Sequence, residues 1–167
     1  MKVMLRPLMK SDAETSVRWR NDPAVWTFTT FSADRTITIE DERAWIERVL
    51  ADVNSRRFAI LADDNYVGNI YLTSIQEGSA EYHIFVGEKT MWGHGVARRA
   101  SEQIIAYGRD ALGLNQLELR VHPQNAAAMK LYSSLGFVRT GQAGDFVCMR
   151  LTFEPDFKSV RTHPAFG

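Results

Sequence analysis

Residues 91–98, Met-Trp-Gly-His-Gly-Val-Ala-Arg, set two glycines one residue apart immediately ahead of a helical pattern. Glycine lets backbone approach a ligand closely, and the first turn of a helix has unpaired N–H groups and a partial positive charge. Trp92, Gly93, His94, Gly95, Val96, Ala97 and Arg98 could therefore cradle a phosphate, although the same pattern serves equally well as a structural turn. A dinucleotide fingerprint would need Gly or Ala at position 98, which is Arg98, and no Gly-Lys-Ser/Thr sequence makes a Walker loop. A second group lies on the segment Ala-Glu-Tyr-His-Ile-Phe-Val-Gly, residues 80–87. Strand periodicity of two puts Glu81, His83 and Phe85 on one face, so a carboxylate and an imidazole, both able to accept a proton, point the same way. Both also suit an ordinary strand, Glu81 as an exposed position and His83 as a hydrogen-bonded core residue. A third group is Asn125 with Tyr132, seven residues apart and so on one face of a helix. A core tyrosine with a satisfied hydroxyl would look the same.

The elements that must hold these groups can be read from periodicity and punctuation. Val3–Arg6 reads as a strand stopped by Pro7, and 11–23 as a helix with a Ser11/Glu14 capping box ending at Asp22-Pro23. Residues 23–37 read as a loop rich in large side chains. The next helix runs over 38–53, capped by Thr38 with Asp41, its apolar stripe being Ile39, Ala44, Trp45, Val49 and Val53. Three strands follow in 57–64, 66–75 and 80–87, as an antiparallel meander with turns at Asp63-Asp64-Asn65 and Glu77-Gly78. A long helix then carries Ala97, Ala100, Ile104, Gly108 and Ala111, closed by Gly113. A strand at 114–122, a helix from Asn125 to Gly136 and two strands at 137–141 and 145–153 complete the order. This order predicts one α+β domain over 1–167, with its core in about 3–152, a mixed sheet and a peripheral tail from 154 to 167.

Composition narrows the partners. The 167 residues carry 20 Lys and Arg against 20 Asp and Glu, a formal net charge of zero, which removes the charge-based case for nonspecific nucleic-acid or anionic-membrane binding. No apolar run approaches the ~18 residues of a membrane span, and the charged N-terminal segment has no long apolar signal core. The single Cys148 cannot form an internal disulfide, and His83, His94, His122 and His163 are scattered without metal-ligand spacing. The expectation is a compact cytoplasmic domain with no metal, no nucleic-acid partner and no membrane partner.

The ordered combination is more specific than its parts. A strand ending in Ile-Phe-Val-Gly, then Trp-Gly-His-Gly-Val-Ala opening a helix, then a strand, then Asn-Ala-Ala-Ala-Met-Lys-Leu-Tyr-Ser-Ser-Leu-Gly-Phe, resembles the GNAT-type acetyl-CoA-dependent N-acetyltransferase superfamily over residues 3–152. Within it, the segments at 5–12, 19–26 and 131–141 resemble the branch of ribosomal-protein, spermidine and amino-sugar-nucleotide acetyltransferases.

The resemblance implies a central, mainly antiparallel sheet with helices on both faces, in which two parallel strands splay apart. It also implies direct transfer of acetyl from acetyl-CoA to the primary amine of a small molecule or protein N-terminus. Main-chain groups of Phe85 and Val86 would meet the pantetheine arm, with the Val86 amide facing the reaction's oxyanion. Amides from Gly93 to Arg98 would hold the pyrophosphate, Asn125 would touch the cofactor arm, and Tyr132 would be general acid at the sulfur. Thr90 stands where the pattern often has Gln or Arg, so either Lys89 compensates or amides alone serve. The base is Glu81, His83 or neither. Trp19, Asn21, Trp26, Phe28, Phe31 and Tyr71 form the candidate acceptor wall, although the aromatic ones suit core or dimer contacts too. Arg18 and Arg20 could meet a phosphate or carboxylate, or sit in surface salt bridges. The resemblance also carries a homodimer, and a non-catalytic acetyl-CoA sensor of the same fold stands as the alternative.

Overall fold

A computed structural model describes residues 1–29, 31 and 34–154, so the predicted tail from 155 onward lies outside the described residues. Seven strands form one sheet: β1 Val3–Pro7, β2 Arg56–Ala62, β3 Asn65–Gln76, β4 Ser79–Val86, β5 Gln116–Val121, β6 Val138–Ala143 and β7 Phe146–Thr152. Their spatial order is β1-β2-β3-β4-β5-β7-β6. The pairings are antiparallel except for β4 with β5. The parallel pair is joined by a helix crossover, as parallel neighbours require.

Four helices pack on the two faces: α1 Ala13–Arg20, α2 Ile39–Leu50, α3 Val96–Asp110 and α4 Ala126–Ser134. Strand alternation divides the core between them. Ile60, Ile70, Leu72, Tyr82 and Leu117 turn toward one face and pack with Ala100 and Ile104 of α3 and Tyr132 of α4. Ala59 and Tyr71 turn the other way and pack with Ala13 of α1 and Ile46 of α2. The expected α+β order of elements is the observed one.

Local differences have physical causes. Ser11 does not cap α1. Instead Asp12 accepts from the Met9 amide at 2.8 Å and receives both Arg6 guanidinium nitrogens at 2.9 and 2.7 Å, closing a short 3₁₀ turn ahead of the helix. Pro23–Trp26 is likewise a 3₁₀ turn, capped by Asp22. Thr38 and Asp41 do form the reciprocal cap of α2. The stripe of α2 differs from the expected one: Ala44 is exposed, Val53 lies past the helix end and is 81% exposed, and the buried positions are Glu42 and Ile46. A stripe selected by apolar residue type passes over a buried glutamate. Ala111 is also exposed, because α3 ends at Asp110.

One glycine is required by packing at the end of β4. A β-carbon built on Gly87 would lie 2.0 Å from the Trp19 ring, so the indole occupies the space that any other residue would fill. Gly87→Ala is expected to cost about 1–3 kcal/mol of stability, as overpacking does, read as a lower denaturant midpoint at constant m-value. An unchanged midpoint would mean that the Trp19 indole moves aside freely.

Candidate active site

β4 and β5 pair from Ser79↔Gln116 to Glu81↔Glu118 and no further, although β4 continues to Val86 and β5 to Val121. The strands therefore diverge, and a cleft of about 850 Å³ opens at the gap. Its wall includes Glu81, His83, Ile84, Phe85 and Val86 of β4, Trp92, Ala97 of α3, Asn125, and Tyr132 of α4. It joins the three groups that the sequence set far apart.

The main-chain groups at this gap follow from ladder alternation. Gly87 N–H donates to Val67 O at 2.8 Å, and Val67 is opposite Gly87 in the register that pairs Gly68 with Val86 and Asn69 with Phe85. In an antiparallel ladder the bonding pairs alternate, so His83 and Phe85 spend their main-chain groups on β3, and Ile84 and Val86 turn theirs toward the gap. Trp92 bears this out, since its indole N–H donates to Val86 O at 2.8 Å. Phe85 is thus a correction. Its main chain is committed to the sheet, and its side chain lines the cleft.

At the turn before α3, Gly93 and Gly95 both have φ +81°, the left-handed region that favours glycine, and a β-carbon on either would meet nothing within 4 Å. The first intrahelical bond runs from Arg99 N–H to Gly95 O, which leaves the amides of Val96, Ala97 and Arg98 without partners in the helix. No side chain caps them. His94 is exposed between the two glycines. The Arg98 side chain donates to Ser134 Oγ at 2.6 Å and pairs with Glu102, tying α3 to α4. Lys89 pairs with Asp22 at 2.8 Å on the surface.

Asn125 caps α4 by accepting from Ala128 N–H at 3.2 Å, which leaves its amide NH₂ available at the cleft. Tyr132 is buried, stacked edge-on against Tyr82 at 5.6 Å. Burial pushes its hydroxyl pKa up to about 12, with the Tyr82 hydroxyl acting in the opposite sense. The group is therefore a donor throughout the neutral range. Tyr82 in turn shares a 2.6 Å hydrogen bond with Ser101 Oγ, which donates to Ala97 O.

Glu81 and His83 do share a face, with Glu81 Oε1 and His83 Nε2 3.7 Å apart and Thr73 Oγ1 3.0 Å from the same nitrogen. Desolvation holds the His83 pKa below its ordinary value, Glu81 pulls it upward, and Arg57 and Arg120 add to the lowering. The neutral form of the ring is thereby favoured.

The expected acceptor wall divides. Trp26, Phe31 and Tyr71 line a second cavity of about 460 Å³ that shares Thr29, Glu81, His83, Ile84 and Phe85 with the cleft, and Phe28 lines the cleft beside His122. Trp19 and Asn21 do not belong to it. Trp19 is 3% exposed, donates to Glu88 Oε1 and packs on Tyr66, making it a core residue. Asn21 spends its amide on Val17 O, Ile37 O and Ile37 N–H, so it braces the loop. Arg18 forms a surface pair with Glu88, whereas Arg20 pairs with buried Glu42. Burial raises the Glu42 pKa against the pull of Arg20.

Arg57, Arg120 and His122 also reach these cavities, and none was expected there. For the last two a signal existed. In Leu117–His122, Leu117, Leu119 and Val121 are buried, which turns Glu118, Arg120 and His122 to the opposite face. Among the described residues no cluster of His, Cys, Asp and Glu could hold a metal, and no helix is long and apolar enough to cross a membrane.

Comparison with known proteins agrees with this geometry. The family model described as an acetyltransferase (GNAT) domain matches residues 2–138. The chain is 27% identical over 150 residues to the uncharacterized N-acetyltransferase p20 of Bacillus licheniformis, covering 87% of this chain and 84% of that one. It is 28% identical over 142 residues to spermidine N(1)-acetyltransferase of Escherichia coli K12, covering 84% of this chain and 75% of that one. Among solved structures, spermidine N-acetyltransferase from Vibrio cholerae in complex with CoA and spermine superimposes with TM-score 0.76 at 23% identity, covering 89% of this chain and 92% of that one. At that identity the likeness speaks to the fold.

Proposed function

The chain belongs to the acetyltransferase (GNAT) domain family and is an N-acetyltransferase, and from that premise we propose that acetyl-CoA is its acyl donor and a primary amine of a small molecule or a protein N-terminus its acceptor. The observation that carries this reading is the single cleft joining open helix-end amides, the β4/β5 gap and a buried tyrosine donor. Acetyl-CoA, when bound, supplies a thioester carbon open to attack and a thiolate leaving group.

The residues fit that donor. Val96, Ala97 and Arg98 amides would hold the pyrophosphate, with Gly93 and Gly95 keeping the approach clear of side chains. The Asn125 NH₂, at the cleft wall, would contact the pantetheine arm. Val86 N–H, turned to the gap, would stabilise negative charge on the carbonyl oxygen as a preorganised donor, and Tyr132 would donate at the sulfur.

An alkylamine with pKa near ~10 is about 0.1% neutral at pH 7, so its proton needs a destination. We assign that to Glu81, directly or through water, with His83 beside it. Glu81→Gln is expected to lower kcat/KM about 10²-fold at pH 7, with the deficit shrinking as pH rises and the amine loses its proton unaided. If His83→Gln shows this profile instead, the imidazole is the base. If neither does, solvent accepts the proton.

The reading as a whole is tested by thiol release from acetyl-CoA across spermidine, a nucleotide-linked amino sugar, an aminoglycoside and N-terminal peptides, with the N-acetyl product identified by mass. Tight coenzyme binding without turnover on any amine would overturn it in favour of a sensor, which no present observation favours. A single domain over the whole chain, a cytoplasmic setting and a homodimer belong to the same proposal.

A further inference from the structure

The smaller cavity has a charge arrangement that the acetyl-transfer reading does not use. We propose that it is an oxyanion subsite, in which the Arg57 guanidinium, backed by Tyr71, binds a carboxylate or phosphate carried by the acceptor amine. The proposal rests on the acetyltransferase reading and names the acceptor's chemical class.

Arg57 is partly buried, and among the described residues no carboxylate lies within ion-pair distance of it. The Tyr71 hydroxyl is the polar group beside it and strengthens its hold on the proton, while the Arg57 Nε is buried without a partner. A guanidinium on a cavity wall whose charge no carboxylate matches favours an anion brought in from outside. Aromatic faces hold the guanidinium without satisfying it: its carbon is 4.5 Å from the Tyr71 ring centroid and 5.6 Å from that of Trp45. Asp52 is the acid that acts on it electrostatically, from beyond ion-pair range, and Arg20 opposes. Arg20 lies in the same cavity, 4.1 Å from the Trp45 centroid, with its charge matched by Glu42. Among the described residues that leaves Glu81 as the one acid on the cavity wall, and Glu81 is already assigned to the amine.

Strand register sets the distance between the two ends. Arg57 is opposite Tyr71, and Tyr71 is opposite His83, so the three form one row across β2, β3 and β4 on the face that also carries Glu81 and Phe85. Neighbouring strands are about 4.8 Å apart, which puts the Arg57 backbone about 10 Å from that of His83. An amine at Glu81 and an oxyanion at Arg57 are therefore spanned by a substrate with several bonds between its two charged ends. A polyamine, cationic at both ends, would set its far ammonium against a guanidinium that no carboxylate among the described residues matches.

A matched acceptor set tests this: hexylamine, 6-aminohexanoate, 6-aminohexyl phosphate and 1,6-diaminohexane, all with the same reacting amine and differing only at the far end. Wild-type kcat/KM by thiol release should favour the two anionic acceptors over hexylamine by about 10–100-fold, and the order of carboxylate and phosphate identifies which oxyanion the site takes. Arg57→Gln should bring that ratio close to one, and Arg57→Lys, which keeps the charge but not the fork, should retain part of it. A wild-type preference for 1,6-diaminohexane, or an anion preference that survives Arg57→Gln, would overturn the subsite. Should no amine be acetylated, the acetyl-transfer reading fails, and the subsite is judged by tryptophan fluorescence from Trp26 and Trp45 at the cavity wall. At least tenfold weaker binding of 6-aminohexanoate or 6-aminohexyl phosphate in Arg57→Gln supports it, and equal binding by the two proteins overturns it.

Discussion

Tyr132→Phe is expected to lower kcat by about 10²-fold while leaving the Kd for acetyl-CoA within about twofold of the wild type. The hydroxyl is held by α4 at the cleft, and burial raises its pKa to about 12. A free thiol has a pKa of ~8.5, so complete proton transfer from tyrosine to a thiolate would be uphill by about 3.5 units, or ~5 kcal/mol. Tyr132 is therefore best suited to give a short, charge-assisted hydrogen bond to the leaving sulfur. Such bonds contribute about 1.5–3 kcal/mol, which corresponds to roughly 10–150-fold in rate. The ring of Phe keeps the edge-on packing with Tyr82 and Phe137, so the comparison isolates the hydroxyl. Steady-state kcat together with coenzyme titration checks it, and an unchanged kcat would remove Tyr132 from the chemistry.

Gly93→Val is expected to raise the Kd for coenzyme A by about tenfold or more. Two effects act together. A β-branched residue at φ +81° costs at least the ~1–2 kcal/mol of a left-handed conformation, and the chain relieves that strain by reshaping the turn that aims the amides. The space before Gly93, free of any atom within 4 Å of a built β-carbon, also becomes occupied. Calorimetric titration of coenzyme A gives the number, and a thermal melt shows that the rest of the fold is intact. Wild-type affinity in this variant would refute the cradle. The net charge of zero poses no obstacle to binding so anionic a cofactor, because in the proposed cradle main-chain amides at one helix end, and not an excess of basic side chains, would supply the donors.

Much of this was legible in the chain because it is local. The Gly93/Gly95 turn, the Asn125 cap and the Asn125–Tyr132 spacing depend on residues within two helical turns of one another, and strand parity alone put Glu81 and His83 side by side. Thr38 with Asp41 belongs to the same class. What failed was reading side-chain type as a guide to exposure. Trp19 looked like a binding aromatic and is a core residue beneath Gly87, and Asn21 looked like a contact and is a loop brace. Glu42 lies outside the apolar stripe read for α2 and is 2% exposed under Arg20.

The sequence by itself determined the order of elements, the two-glycine turn before α3 and the family, since each is written in short-range periodicity, capping and glycine placement. Tertiary structure alone decided which main-chain groups face the gap and which charged side chains line the smaller cavity. Val86 and not Phe85 turns its amide to the cleft, because that depends on which β3/β4 pairs exchange hydrogen bonds. Among the described residues Arg57 has no carboxylate partner, because β2, β3 and α2 meet there with the nearby acids spent or out of range. Charge pairing between elements distant in the chain has no periodicity, so it becomes visible only when the strands are in register.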